Sequence, residues 1–269
     1  MIHDRLSVNA ISSWNQGLAE DIELWAKLGV RDVVVQRTKL EAAGTGAVAC
    51  LRAAGVRVRS LVTPPPFTLG DPARWAAQRD DLQTAIELAA ELGSPSVYFT
   101  TGGAASRTTT DDAVAAFAAA VRPVLETAAS AGVRLAVEHN STMTRDTGCV
   151  HTLRDAIGLC EETGIGVVVE LQNCWYERDL PELFRRGLDG FALVQVSDFI
   201  VGTTQRLQRA CPGDGDMPLE ELIGALLDVG YDGFFDLEIL GRRIEAEGYK
   251  SAIARGAAVV SGILNRHAA

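Results

Sequence analysis

The stretch VRLAVEHN, Val133 to Asn140, decides how the chain is read. Its apolar residues stop abruptly at an acid, Glu138, and polar His139 and Asn140 follow. A largely apolar strand is what a sheet covered on both faces needs, because neither face meets water. Three later stretches share the form: IGVVVELQN ends its apolar run at Glu170, FALVQVSD carries Gln195 ahead of Asp198, and GFFDLEIL carries Glu238. Each sets an oxygen-bearing side chain where a buried strand runs out. Parallel neighbouring strands would bring those ends to one face, and that face is the expected active site.

Outward from these four runs, strand-like and helical segments alternate about eight times along the sequence. The pattern predicts strands at Leu6–Ile11, Asp32–Gln36, Val56–Val62, Ser96–Thr100, Arg134–His139, Gly166–Leu171, Phe191–Ser197 and Gly233–Ile239. Helices are expected at Leu18–Leu28, Lys39–Ala54, Pro72–Leu92, Asp111–Ala131, Val150–Thr163, Leu180–Arg186, Leu219–Val229 and Arg243–Leu264. A glycine separates helix from strand repeatedly, at Gly29, Gly55, Gly93, Gly132, Gly164, Gly187 and Gly230. Glycine adopts the left-handed conformation that ends a helix at little cost, so the recurrence marks short turns. Asp71 before Pro72 and Asp179 before Leu180-Pro181 read as helix N-caps. Repeated βα units of this length predict an α/β fold, a single (β/α)8 TIM barrel over residues 1–269. An open doubly wound sheet is the rival, but no G-x-G-x-x-G follows the first strand.

Composition narrows the function classes. The chain has 269 residues, 47% of them hydrophobic, which suits a large buried core. A formal net charge of -10 argues against a protein that tracks nucleic-acid phosphates. Cys50, Cys149, Cys160, Cys174 and Cys211 are odd in number and show no C-x-x-C spacing, which reads as reduced thiols. The N-terminus lacks a signal pattern and no uninterrupted apolar run approaches membrane-spanning length, so a cytoplasmic location is expected. Only three lysines occur, Lys27, Lys39 and Lys250, all in or beside helical stretches. A Schiff-base enzyme needs an amine pointing into the barrel mouth, so that chemistry is disfavoured. The expected partner is a small-molecule substrate, with neither nucleic acid nor membrane; a homo-oligomer is left open.

Three carboxylates gathered at one point repel strongly unless a cation sits among them. The strand-end residues, and the loop RACPGDGDMPLEELI from Arg209 to Ile223, give the chain a resemblance to the xylose isomerase-like TIM barrels. That superfamily contains sugar isomerases and epimerases, inosose dehydratase and endonuclease IV. Its pattern is a Glu on strand five, D-x-x-H on strand six, His or Gln on strand seven and Glu on strand eight. Glu138, Gln195 and Glu238 match it, and Gln195 within VQVSD is closest to the hydroxypyruvate isomerase branch. Strand six departs, with Glu170 where Asp is usual and Asn173 where the substrate-contacting His is usual. The loop resembles the family's R-x-x-P-G-x-G element, whose arginine contacts substrate.

The resemblance implies Glu138, Glu170, Gln195 and Glu238 as metal ligands, Glu138 and Glu238 as the acid/base pair, and Arg209 on the substrate. An oxygen-only ligand set favours Mn²⁺ or Mg²⁺ over Zn²⁺. Asn173 and His139 are further candidate substrate contacts, with a packed structural role the alternative for His139. Trp14, Phe67 and Trp175 follow strands one, three and six; they read either as pocket lining or as core and loop anchors. The implied activity is isomerisation or epimerisation of an α-hydroxycarbonyl compound through an enediolate. The alternatives are a lyase or dehydratase on the same platform, or a non-catalytic sugar-binding barrel.

Overall fold

In the computed structural model, which describes residues 2–267, runs of β-branched residues form strands and the amphipathic runs form helices. The chain begins with β1 (Leu6–Asn9), α1 (Leu18–Leu28), β2 (Asp32–Gln36), α2 (Arg37–Ala43) and α3 (Ala47–Ala53). It continues through β3 (Arg57–Val62), α4 (Trp75–Leu92), β4 (Ser96–Phe99), α5 (Thr110–Ser130), β5 (Arg134–Glu138) and α6 (Leu153–Thr163). Then come β6 (Gly166–Glu170), α7 (Leu171–Cys174), α8 (Leu180–Gly187), β7 (Phe191–Val196) and α9 (Leu219–Asp228). The last elements are β8 (Phe235–Leu237), α10 (Arg242–Glu247) and α11 (Tyr249–His267). The strands follow one another in chain order around a closed barrel, as the alternation implies.

Contacts group the residues into two compact units, Met1–Arg59 with Leu193–Ala269, and Ser60–Ala192; the boundaries fall inside β3 and β7. In the first unit β8 pairs in parallel with both β1 and β7, so that Ser7 and Gln195 are each in register with Asp236. In the second, β4 pairs with β3 and β5, and β5 with β6. Val33, Val34 and Val35 are fully buried, as are Val167, Val168 and Val169. Consecutive residues point to opposite faces of a strand, so these runs are covered on both sides.

Helix α5 is long and apolar enough to cross a membrane by length and composition, more than the broken apolar runs of the sequence suggest. Here it covers the barrel, with Phe117, Ala120, Val121 and Val124 buried and Phe117 edge-on to Phe99 of β4.

Six of the seven boundary glycines take positive φ, from 67° at Gly55 to 95° at Gly230. Gly187 does not; it ends α8 at φ -90°. Its role is close packing, because a Cβ there would come within 2.5 Å of the Phe191 ring and 2.8 Å of Ile157. Two expected helices are each broken once by glycine: Lys39–Ala54 at Gly44, φ 78°, and Arg243–Leu264 at Gly248, φ 90°. Neither Asp71 nor Asp179 caps its helix through its side chain; the prolines alone mark those starts. Strand β8 is shorter than the apolar run because the Ile239 amide leaves the ladder and donates to Ser12 Oγ at 3.0 Å.

Candidate active site

The site residues of the first unit hang from β8. In the sequence Asp236-Leu237-Glu238, alternation turns both acids to one side and buries Leu237 on the other. Asp236 accepts hydrogen bonds from Ser7 Oγ at 2.6 Å and Asn9 Nδ2 at 2.8 Å. The same Asn9 amide donates to Glu238 Oε2 at 3.0 Å. Gln195 Nε2 also donates to Glu238 Oε2, which leaves Oε1 as the atom Gln195 can offer a cation. Arg209 reaches the other oxygen, with its NH2 group 2.9 Å from Glu238 Oε1, and donates to Ser197 Oγ at 3.4 Å.

Arg209 is placed by the loop that leaves β7. Asp198 and Ala210 form an antiparallel bridge, and the Arg209 amide donates to Leu240 O at 2.9 Å. The buried Asp198 carboxylate gathers the loop: Oδ1 accepts from the amides of Phe199 and Met217, Oδ2 from those of Gly213 and Gly215. A Cβ on Gly215 would lie 2.3 Å from Asp198 Oδ1, so glycine is needed for the carboxylate to approach. The spacing of R-x-x-P-G-x-G follows from this grip.

In the second unit Glu138 is the last residue of β5 and half-buried, and Glu170 is the last residue of β6 and wholly buried. Glu170 Oε1 accepts from the Gln172 amide at 2.9 Å and so caps the one-turn α7. His139 is fully buried, and its Nε2 accepts the Glu170 amide at 3.2 Å, which puts the ring proton on Nδ1. Burial pushes its pKa down from 6.5 to about 3, so the imidazole is neutral. His139 is thus packed and supports Glu170, which is one of the two roles the sequence leaves open for it. Asn173 Nδ2 donates to His139 O at 3.1 Å, so its amide partly serves the end of β5. His151 donates from Nδ1 to Asn140 O at 2.9 Å, and its Nε2 is buried with no hydrogen-bond partner among the described residues.

The aromatic candidates separate. Phe67 is buried edge-on to Phe117, with ring centroids 6.1 Å apart, a packing that agrees with the core-anchor alternative. Trp175 is half-buried beside Tyr176, and Trp14 is exposed.

Within the second unit Glu138 and Glu170 end the neighbouring strands β5 and β6, and within the first Glu238 follows β8 beside Gln195 and Arg209; each is a carboxylate able to offer an oxygen to a cation. A family profile for the xylose isomerase-like TIM barrel matches residues 22–258. The chain belongs to the xylose isomerase-like TIM barrel family. Among solved structures, this family member is similar to protein SMc04130 from Sinorhizobium meliloti 1021, at 26% identity and TM-score 0.88, covering 97% of this chain and 98% of that one. An IolI protein with a binding zinc atom matches at 16% identity and TM-score 0.82, covering 98% and 99%. An L-ribulose 3-epimerase matches at 18% identity and TM-score 0.77, covering 98% and 95%. The last two show the shared fold. Comparison with curated proteins gives no match.

Within the family fold, the remaining nucleophiles are quiet. Lys39 spends its three protons on Ala10 O, Ser13 O and Asp21 Oδ2, at 2.7 to 3.0 Å, which closes the route to Schiff-base chemistry. Burial raises the Cys174 thiol well above its ordinary value and pushes Cys211 up to about 12, as expected of packed thiols. Asn9 and Asp236 are the site residues that the strand-end reading missed. The signal was present as the i, i+2 spacing of Asp236 with Glu238 and of Ser7 with Asn9.

Proposed function

We propose that the protein is a divalent-metal-dependent isomerase or epimerase of a small sugar or related α-hydroxycarbonyl compound. The observation that carries this reading is the set of carboxylates at the strand ends: Glu138 and Glu170 closing the paired strands β5 and β6, and buried Glu238 after β8, joined to Gln195. Such a group is costly to assemble without a cation. Glu138, Glu170, Glu238 and the Gln195 amide oxygen are the ligands. All are oxygen donors without imidazole or thiolate, which favours Mn²⁺ or Mg²⁺. When bound, the ion supplies Lewis acidity, stabilising charge on adjacent substrate oxygens by several kcal/mol.

The chain's own residues do the rest. Glu138 removes a proton from the carbon beside the carbonyl, and Glu238 returns one to the enediolate on the opposite face or at the next carbon. Arg209 and Asn9 fix the Glu238 carboxylate so that it is aimed before substrate arrives. Arg209 also offers its guanidinium to the substrate oxygens. Trp14 and Trp175 complete the contacts, with Asn173 offering its amide oxygen.

The test is metal analysis of the purified protein together with a ketose and inosose screen in deuterated water with Mn²⁺ supplied. Solvent label entering a product of unchanged formula is expected, and it should vanish in Glu138→Gln and Glu238→Gln. Loss of water from the substrate would instead show a dehydratase. Zinc alone at full occupancy, or near-wild-type rates in either variant, would overturn the scheme.

A further inference from the structure

A cavity of about 280 Å³ lies beside Arg209, entirely within the first unit. Arg243, Thr203, Thr204, Gln205 and Gln208 line it with Arg209, and no acidic side chain contributes to its wall. In a chain of net charge -10, a recess walled by two guanidiniums and several neutral donors runs against the surrounding field. Arg243 is exposed, and the one carboxylate whose charge it is seen to feel among the described residues is that of Asp214. The nearby Asp214 is engaged by Arg255 at 2.6 and 2.8 Å. Gln208 Oε1 accepts the Arg242 amide at 3.0 Å, so the group it has left to present is its NH₂ donor. Arg209, with a side chain only 9% exposed, joins this cavity to Glu238.

We propose that this cavity is an oxyanion subsite that holds a carboxylate of the substrate, which makes the substrate a sugar acid or keto acid; the word substrate rests on the isomerase reading above. The planar fork of a guanidinium matches a carboxylate. A carboxylate fits better than a phosphoryl group because Asp216 lies against the same loop, accepting the Val201 amide at 2.8 Å. A dianion would feel that charge twice as strongly as a monoanion.

Metal-free protein serves for the test, so that its failure and failure of the metal-dependent reading stay separate. Glycolate, its neutral amide glycolamide and inorganic phosphate are titrated with ligand-observed NMR. Saturable glycolate binding is expected, with phosphate weaker and glycolamide not bound. Arg243→Ala should weaken glycolate about tenfold and Arg243→Lys less, since one charge-assisted contact is lost or reduced. Melting curves of the metal-free variants, compared with that of the metal-free wild type, check that both remain folded. Equal binding of glycolate and glycolamide, phosphate binding tighter than glycolate, or an unchanged Kd in Arg243→Ala would overturn the proposal.

Discussion

Arg209 holds Glu238, its NH2 group 2.9 Å from Oε1, with both side chains more than nine-tenths buried. A buried carboxylate stripped of its cation is left uncompensated, at a cost of about 3–5 kcal/mol. Arg209→Ala should therefore lower stability by that order in urea titration. Added Mn²⁺ should restore more stability to the variant than it adds to wild type, because the ion takes over the lost charge. Equal metal responses would show that Arg209 and the ion do not share Glu238.

Asp198 makes a second prediction. Its four amide contacts organise the segment that presents Arg209. Asp198→Ala should cost roughly 2–4 kcal/mol, as the loss of several charge-assisted hydrogen bonds in a buried place. It should also raise backbone amide exchange at Gly213, Gly215 and Met217 while leaving β4 and β5 protected. Exchange unchanged at those three amides would remove Asp198 from this role.

The stability of the protein should also depend on pH through His139. Folding lowers its pKa from 6.5 to about 3, so the unfolded chain takes up the proton first as pH falls. The stabilisation is present in full above about 6.5 and is lost progressively down to about 3. Melting temperatures between pH 7.5 and 5 should fall more steeply for wild type than for His139→Gln, which has no proton to gain. Parallel slopes would assign the acid sensitivity to other groups.

Thiol chemistry gives a direct readout of packing. Cys50 is exposed, whereas Cys149, Cys174 and Cys211 are buried with raised pKa values, and Cys160 is half-buried and also raised. A native-state titration with a disulfide reagent should show one fast thiol, and Cys50→Ser should remove it. A fast phase that persists in the variant would point to local opening around one of the others.

Much of the fold was legible because the physics that decides it is local. Val33–Val35 and Val167–Val169 are too apolar for a half-exposed strand, and boundary glycines such as Gly29 and Gly164 need only their own φ to end a helix. Gly187 misled because its absent side chain makes room for Phe191 and Ile157, a matter of packing that no local pattern encodes. At the site, Glu138, Glu170 and Glu238 could be found from where apolar runs stop. Which oxygen each carboxylate offers could not, since that depends on partners far along the chain: Asn9 donates to Glu238 from 229 residues away. Phe67 and His139 have the composition of ligand contacts, and only their packing shows them as supports.

The loop after β7 is pinned at Asp198 and again at Ala210 by reciprocal backbone bonds. Between these two posts, residues 200–208 carry Thr203, Thr204, Gln205 and Gln208, which line the cavity beside Arg209. On the reading proposed above, the acids stand on the staves while the choice of cargo falls to this span. Grafting that span from a relative would be a direct way to exchange one preference for another.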